Sequence, residues 1–165
     1  MELEYLRTQV RDGTYTQMPD VFVAAFPAMR PAYEELLAEW DDEFPGEYNI
    51  FEYVVGPCLI NLLRDASNHA ETLTVFFAML EEMALHAEED VRELLNLTIA
   101  ELIDGAGQVA YEQSLTFMGP AMRVAVLTLG PRFGVRPVPY EMRMGIPDAT
   151  IPRGAAIPDW ENDPD

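Results

Sequence analysis

Between about residues 19 and 130, apolar side chains recur every three or four positions, the period of a helix with one buried face. "MPDVFVAAF" places Asp20 near a start and Pro27 as a brake. In "RPAYEELLAEW", Pro31 suits a first helical turn, and Tyr33, Leu36, Leu37 and Trp40 share one core-facing stripe. Pro45-Gly46 then marks a turn. "IFEYVVGPCLINLLRD" resumes the period with Phe51, Val54, Val55, Leu59, Leu62 and Leu63, and Gly56-Pro57 inside it either kinks one helix or divides it in two. Asn68 and Glu71 have capping-box spacing ahead of Leu73, Phe76, Phe77, Leu80, Met83 and Ala84. Val91, Leu94, Leu95, Thr98, Ile99, Leu102 and Ile103 repeat the pattern up to Gly105, a natural stop. A further helix through "QVAYEQSLTFM" precedes Gly119-Pro120 and "AMRVAVLTLG".

The two long amphipathic segments between 68 and 104, joined by a short acidic link near Glu88, predict an antiparallel helix hairpin. The chain as a whole predicts an all-α domain of six to eight helices over residues 1–130, arranged as HEAT-like helix pairs. The first dozen residues read either as a short helix with Leu3, Leu6 and Val10 aligned or as a loosely attached arm. Residues 131–165 hold seven of the 13 prolines, which rules out a regular helix and predicts an irregular, proline-rich C-terminal extension. Its four arginines and its Tyr140, Ile146, Ile151 and Trp160 would let it lie over an acidic body.

The charge balance is strongly one-sided. The 165 residues carry 29 acids against ten basic residues, all arginine, for a net charge of −19. Phosphate-backbone binding needs the opposite sign, so direct nucleic-acid binding is excluded and positively charged partners are favoured. The single cysteine, Cys58, forms no internal disulfide and suits a reducing compartment. The N-terminus has no basic region followed by an apolar run, and the longest apolar stretches are less than half a membrane span. A cytoplasmic protein with no membrane segment is expected.

Catalytic machinery is sparse. Without lysine there is neither a P-loop nor a Schiff base, and no G-x-S-x-G occurs. Cys58 lies in apolar "VGPCLINLL", which predicts a buried core thiol rather than a nucleophile. Glu82 and His86 stand four apart and could share a ligand, but neither histidine has the Glu-x-x-His spacing of a bundle metal site. A solvated i, i+4 pair is the expectation, and His69 either caps a helix locally or faces solvent. No enzyme activity, metal or cofactor is expected.

The acids themselves are clustered. Residues 33–52 carry eight carboxylates, five aromatic rings and no basic residue. Phe44 and Tyr48 fall at the turn, where helix packing demands no ring, so acids and rings there read as a surface for an Arg- or Lys-rich partner. Glu39, Asp41, Asp42, Glu43, Phe44, Glu47, Tyr48 and Glu52 are the first candidate contacts. Glu88, Glu89 and Asp90 are the second, from a run that also includes Glu81, Glu82 and Glu93. A charge run is equally the mark of a solvated helix face.

"FVAAFPAMRPAYEELLAEW", "NIFEYVVGPCLINLLRD", "VFFAMLEEMALHAEEDVRELLNLTIAELIDG" and "FMGPAM" follow one another over about residues 20–125. This ordered set resembles a family of small acidic helical bacterial proteins linked to polymorphic-toxin gene clusters. Its shared elements fall here on Phe26-Pro27, on Phe77, Leu80, Glu81, Glu82 and Met83, on Glu101-Leu102, and on Met118-Gly119-Pro120. The resemblance implies an immunity protein that binds a cognate toxin domain, one with a basic surface, and masks its active site. Two other readings stay open: an acidic chaperone or adaptor that uses hydrophobic grooves between helices, and a nucleic-acid mimic.

Overall fold

The computed structural model describes residues 2–129, and the proline-rich extension with its four proposed anchors lies outside them. Eight helices form among the described residues. They are α1 (Leu3–Asp12), α2 (Met18–Ala25), α3 (Arg30–Glu39), α4 (residues 47–64), α5 (Ala70–Ala84), α6 (residues 89–105), α7 (Gln108–Phe117) and α8 (Pro120–Leu129). Short 3-10 turns at Tyr15–Gln17 and Pro27–Met29 lead into α2 and α3.

Both α4 and α6 are interrupted by a π turn, at Phe51–Val55 and Asn96–Ala100. In α4 this turn answers the question posed by Gly56-Pro57. Proline lacks an N–H and its ring collides with the carbonyl four residues back. One widened turn just upstream absorbs the misfit, and the helix continues to Arg64 without dividing. The two π turns pack on each other. At their crossing α6 comes so close that a Cβ on Gly56 would lie 2.1 Å from Leu102 Cδ1.

The core gathers around α5. Its Leu73, Phe76, Phe77, Leu80 and Met83 are buried, as the helical period predicts, while Ala84 of the same stripe is half-buried and Met79, outside it, is buried too. Phe76 stacks on Phe26 at 4.4 Å between centroids, and Phe22 meets Phe76 and Phe51 at 5.7 and 5.2 Å, which ties α2, α4 and α5 together. The predicted hairpin is present: α5 packs on α6 across a short link. Both α1 and α8 also pack on α5, so the helix pairs close around a central helix. The first dozen residues are therefore a docked helix and not a loose arm.

Two adjacent carboxylates on α5 fasten those outer helices. Glu82 is 5% exposed, and its oxygens accept from Arg7 Nε at 2.8 Å and from Arg11 Nε and Nη2 at 3.1 and 2.9 Å. Glu81 reaches the other way and accepts the backbone N–H groups of Ala121 and Met122 at 2.7 and 2.8 Å, capping the start of α8. Two otherwise unpaired helical donors and the positive end of the helix dipole are satisfied by one carboxylate. Gly119 is what admits it, since a Cβ there would sit 2.4 Å from Glu81 Cδ.

The expectation of a solvated Glu82–His86 pair is thus overturned. Both side chains are buried. His86 Nδ1 accepts from the backbone N–H of Glu88 at 3.0 Å, which leaves Nε2 as the donor facing Gly13 O at 2.9 Å. The Asn68–Glu71 capping box is absent as well. Asn68 donates to Asp65 at 2.9 and 3.1 Å, and α5 begins one residue later, behind His69, with no side-chain cap. The capping box that does form lies at Thr14 and Gln17.

Two predictions follow from the α5 carboxylates. Hydrogen bonds from Arg11 and then Arg7 hold the Glu82 carboxyl below its usual value of 4.5, against the opposing effect of burial. A lowered folded pKa contributes stability that is complete above about pH 4.5 and disappears as pH falls through the lower folded value. Thermal midpoints measured from pH 6 to 3 should therefore drop less steeply in Glu82→Gln than in the parent chain. Gly119→Ala should displace the Glu81 cap and cost about 1–2 kcal/mol in urea unfolding, the scale of a lost N-cap.

Candidate functional site

The chain leaves α3 through an unusual corner. Trp40 ends the helix with its N–H shared between Leu36 O and Leu37 O, and the N–H of Asp42 reaches back to Leu37 O at 2.9 Å. Asp41 and Asp42 both adopt left-handed backbone, with φ of 52° and 61°. Such conformations cost a non-glycine residue about 1–2 kcal/mol, less for aspartate than for bulkier types. This corner also corrects the placement of Trp40. Its stripe position is void because the helix has already ended, and the ring is 44% exposed.

Phe44 stands out from the loop at 56% exposure, while Pro45 beside it is buried. Tyr48 belongs to the first turn of α4 rather than to the loop, and its hydroxyl donates to Leu97 O in the π turn of α6 at 3.2 Å. Tyr53, one helical turn on, is 58% exposed. Glu39, Asp41, Asp42 and Glu43 are exposed, and among the described residues no arginine pairs with them.

The second acidic run divides into parts. Glu81 and Glu82 serve the core as described, while Glu88, Glu89, Asp90 and Glu93 are exposed. Glu89 and Asp90 occupy the first turn of α6, where negative charge suits the helix dipole. Glu88 accepts the backbone N–H of Tyr15 at 3.3 Å. Arg92 is turned inward, with Nη1 donating to His86 O and Ala87 O at 2.5 and 3.0 Å, so the local cation does not cover the acids around it.

The fold joins the two runs around Tyr15. Burial raises the pKa of that phenol first, and the charges of Glu47 and Asp90 add to the effect. The phenol of Tyr15 thus feels charge from both runs, although the two are far apart in sequence.

Beside this face runs a groove of about 510 Å3 between α4 and α6, lined by Tyr48, Glu52, Ile60, Arg64, Leu97 and Glu101 among others. Sequence reasoning placed Tyr48 and Glu52 on the surface but missed Leu97, Glu101 and Arg64 as their neighbours. The one available signal was Leu97 itself, an apolar residue that falls outside the stripe of Val91, Leu94, Leu95, Thr98, Ile99, Leu102 and Ile103 and is 41% exposed. Cys58 is half-buried rather than fully buried, and burial pushes its thiol pKa up, away from nucleophilic use. Glu82 and His86 have their polar atoms engaged and lie away from this groove. Among the described residues no three His, Cys, Asp or Glu side chains converge to hold a metal, and no helix is long and apolar enough to cross a membrane.

A family model matches residues 19–128, from the start of α2 to the end of α8. The chain belongs to DUF7674, a domain family of unknown function. No curated protein and no solved structure gives a match. The DUF7674 segment contains both acidic runs, the groove and the Glu81–Gly119 cap. Helix α1, which supplies both arginines to Glu82, lies ahead of it. The family's description assigns no partner, so the immunity role implied by the sequence resemblance enters only as a proposal.

Tyr48 offers a direct probe of the groove's field. Its pKa is raised above 10.0 by burial first, then by Glu52, Glu101 and Tyr53. In an alkaline titration followed by ring carbon-13 shifts, Glu52→Gln combined with Glu101→Gln should lower that pKa without returning it to 10.0, because the burial contribution stays.

Proposed function

We propose that this DUF7674 chain is a binding protein without chemistry of its own, which docks a basic partner domain on its acidic, ring-studded face. The partner that fits the sequence resemblance is a toxin domain whose basic cleft this face would fill and mask. A nuclease domain, whose substrate is polyanionic, has such a cleft.

The observation that carries this reading is the corner after α3. Two aspartates occupy left-handed backbone where glycine would sit without strain, and they stand exposed, with no ion pair among the described residues, between exposed rings at 40 and 44. Left-handed backbone on two successive aspartates at a surface corner supports a functional role for that corner. Unpaired carboxylates there speed encounter with a positive patch, and rings among them supply buried area on docking. Glu47 and Asp90 extend the same negative field toward Glu88 and Glu89.

A second reading has its own support. The α4–α6 groove is the kind of apolar channel that an acidic chaperone or adaptor would use. Salt separates the two: charge-led docking loses association rate steeply as ionic strength rises, and apolar docking does not.

The test begins with the gene beside this one. A toxin with a variable C-terminal domain is expected there, and an unrelated neighbour with no basic protein co-purifying would overturn the reading. The toxin domain is the binding probe. Its association rate with the full chain should fall at least tenfold between about 50 mM and 500 mM salt, in the range typical of steered encounters. Asp41→Gly with Asp42→Gly should slow association by a similar factor while raising the unfolding midpoint, because left-handed strain is relieved as charge is lost. A salt-independent rate, or a double variant that binds as fast as the parent, would overturn the reading.

A further inference from the structure

The groove between α4 and α6 has a polarity along its length. The two helices run in the same direction, as two contacts show. Tyr48 meets Leu97 and Gly56 approaches Leu102, and Ile60, Asn61 and Arg64, further along α4, line the groove together with Gly105 and Ala106, further along α6. Glu52 and Glu101 therefore stand at the Tyr48 end, where both bear on its hydroxyl. Arg64 stands at the other end. Among the described residues it makes no ion pair, only a long contact from Nη1 to Asn61 Oδ1 at 3.4 Å. Between the ends the lining is Pro57, Ile60, Leu97 and Leu102, with Thr98 the polar interruption, and its hydroxyl is already donated to Leu94 O. At 1.5 Å per residue, Glu52 and Arg64 are about 18 Å apart along α4.

We infer that this groove is a docking channel for an extended peptide segment of a partner protein, one with an arginine or lysine at one end and a carboxylate about five residues later. The cation would sit between Glu52 and Glu101 against the Tyr48 ring, the apolar residues between would face Ile60 and Leu102, and the carboxylate would meet Arg64. An extended chain advances about 3.3 Å per residue, so six residues span the distance between the charged ends. The two carboxylates and the ring form a site for a guanidinium in particular, which takes bidentate carboxylate contacts and stacks on an aromatic face. The inference rests on the binding-protein reading above and adds to it a second contact surface, next to the α3–α4 corner and with opposite charge at its far end.

The full chain, labelled with nitrogen-15, would be titrated with a blocked hexapeptide that carries arginine first, leucines and alanines between, and aspartate last. Amide shifts should concentrate at Leu97, Thr98, Glu101 and Arg64. Replacing the peptide's arginine by citrulline, which keeps the shape and removes the charge, should weaken binding about tenfold or more, and Glu52→Gln with Glu101→Gln should do the same with the circular dichroism unchanged. Equal affinity for arginine and citrulline peptides would assign the groove to a purely apolar occupant and overturn the proposal. So would shifts confined to residues 40–46, or a concentration-dependent dimer that blocks the peptide. The two proposals fail separately. If the groove variants leave toxin-domain binding intact and the peptide does not bind, only the channel is lost. If the peptide binds in the groove while the toxin domain never does, only the toxin reading is lost.

Discussion

Everything in this fold leans on what α5 can hold. A helix turns 100° per residue, so two consecutive side chains look at different neighbours. Glu81 and Glu82 use that rotation to hold α8 on one side and α1 on the other. Neither is an ordinary surface acid. One ends in backbone amides, where charge and dipole reinforce each other, and the other ends in two guanidinium groups, which keep it ionised despite its burial. A buried carboxylate with either set of partners removed would be a heavy burden on the core, and this makes the three helices mutually dependent.

The pair also explains why elements distant in sequence belong together. The Leu-Glu-Glu-Met run of α5 and the Met-Gly-Pro run before α8 meet in space because Gly119 leaves room for Glu81. Proline at the next position opens α8 without needing an N–H of its own. The order of these runs along the chain is visible without coordinates; the reason for their pairing is not.

Much of the scaffold was legible from spacing alone. The helical segments, the α5–α6 hairpin, the stop at Gly105 and nearly all of the buried stripe on α5 follow from period and punctuation. Where the reading failed, a local competitor had won. Trp40 kept its stripe position only on paper, because the backbone had turned left-handed by Asp41. Asn68 was captured by Asp65 before it could cap α5. Glu82 looked solvated because its partners lie over seventy residues away, although Arg7 and Arg11, four apart beside Leu6 and Val10, were a signal for one shared carboxylate. The rings at 44 and 48 are exposed, but Tyr48 stands in the first turn of α4 and not in the turn before it. That the charges of Glu47 and Asp90 both act on Tyr15, and that Glu52 and Glu101 line one groove, are consequences of tertiary packing that no window of sequence contains.

The paired π turns carry a further implication for how this surface can change. A π turn is an α-helix with one residue too many. Deleting a single residue between 51 and 55 would let α4 close into a regular ladder, at the cost of the room Pro57 requires, and would swing everything before it by about 100°. Tyr48 would then leave Leu97, and Ile50 and Phe51, both fully buried, would turn away from Phe22 with it. The extra residue therefore sets the direction of the acidic corner and the packing of α2 on α4 at once, and neither can be re-aimed without the other.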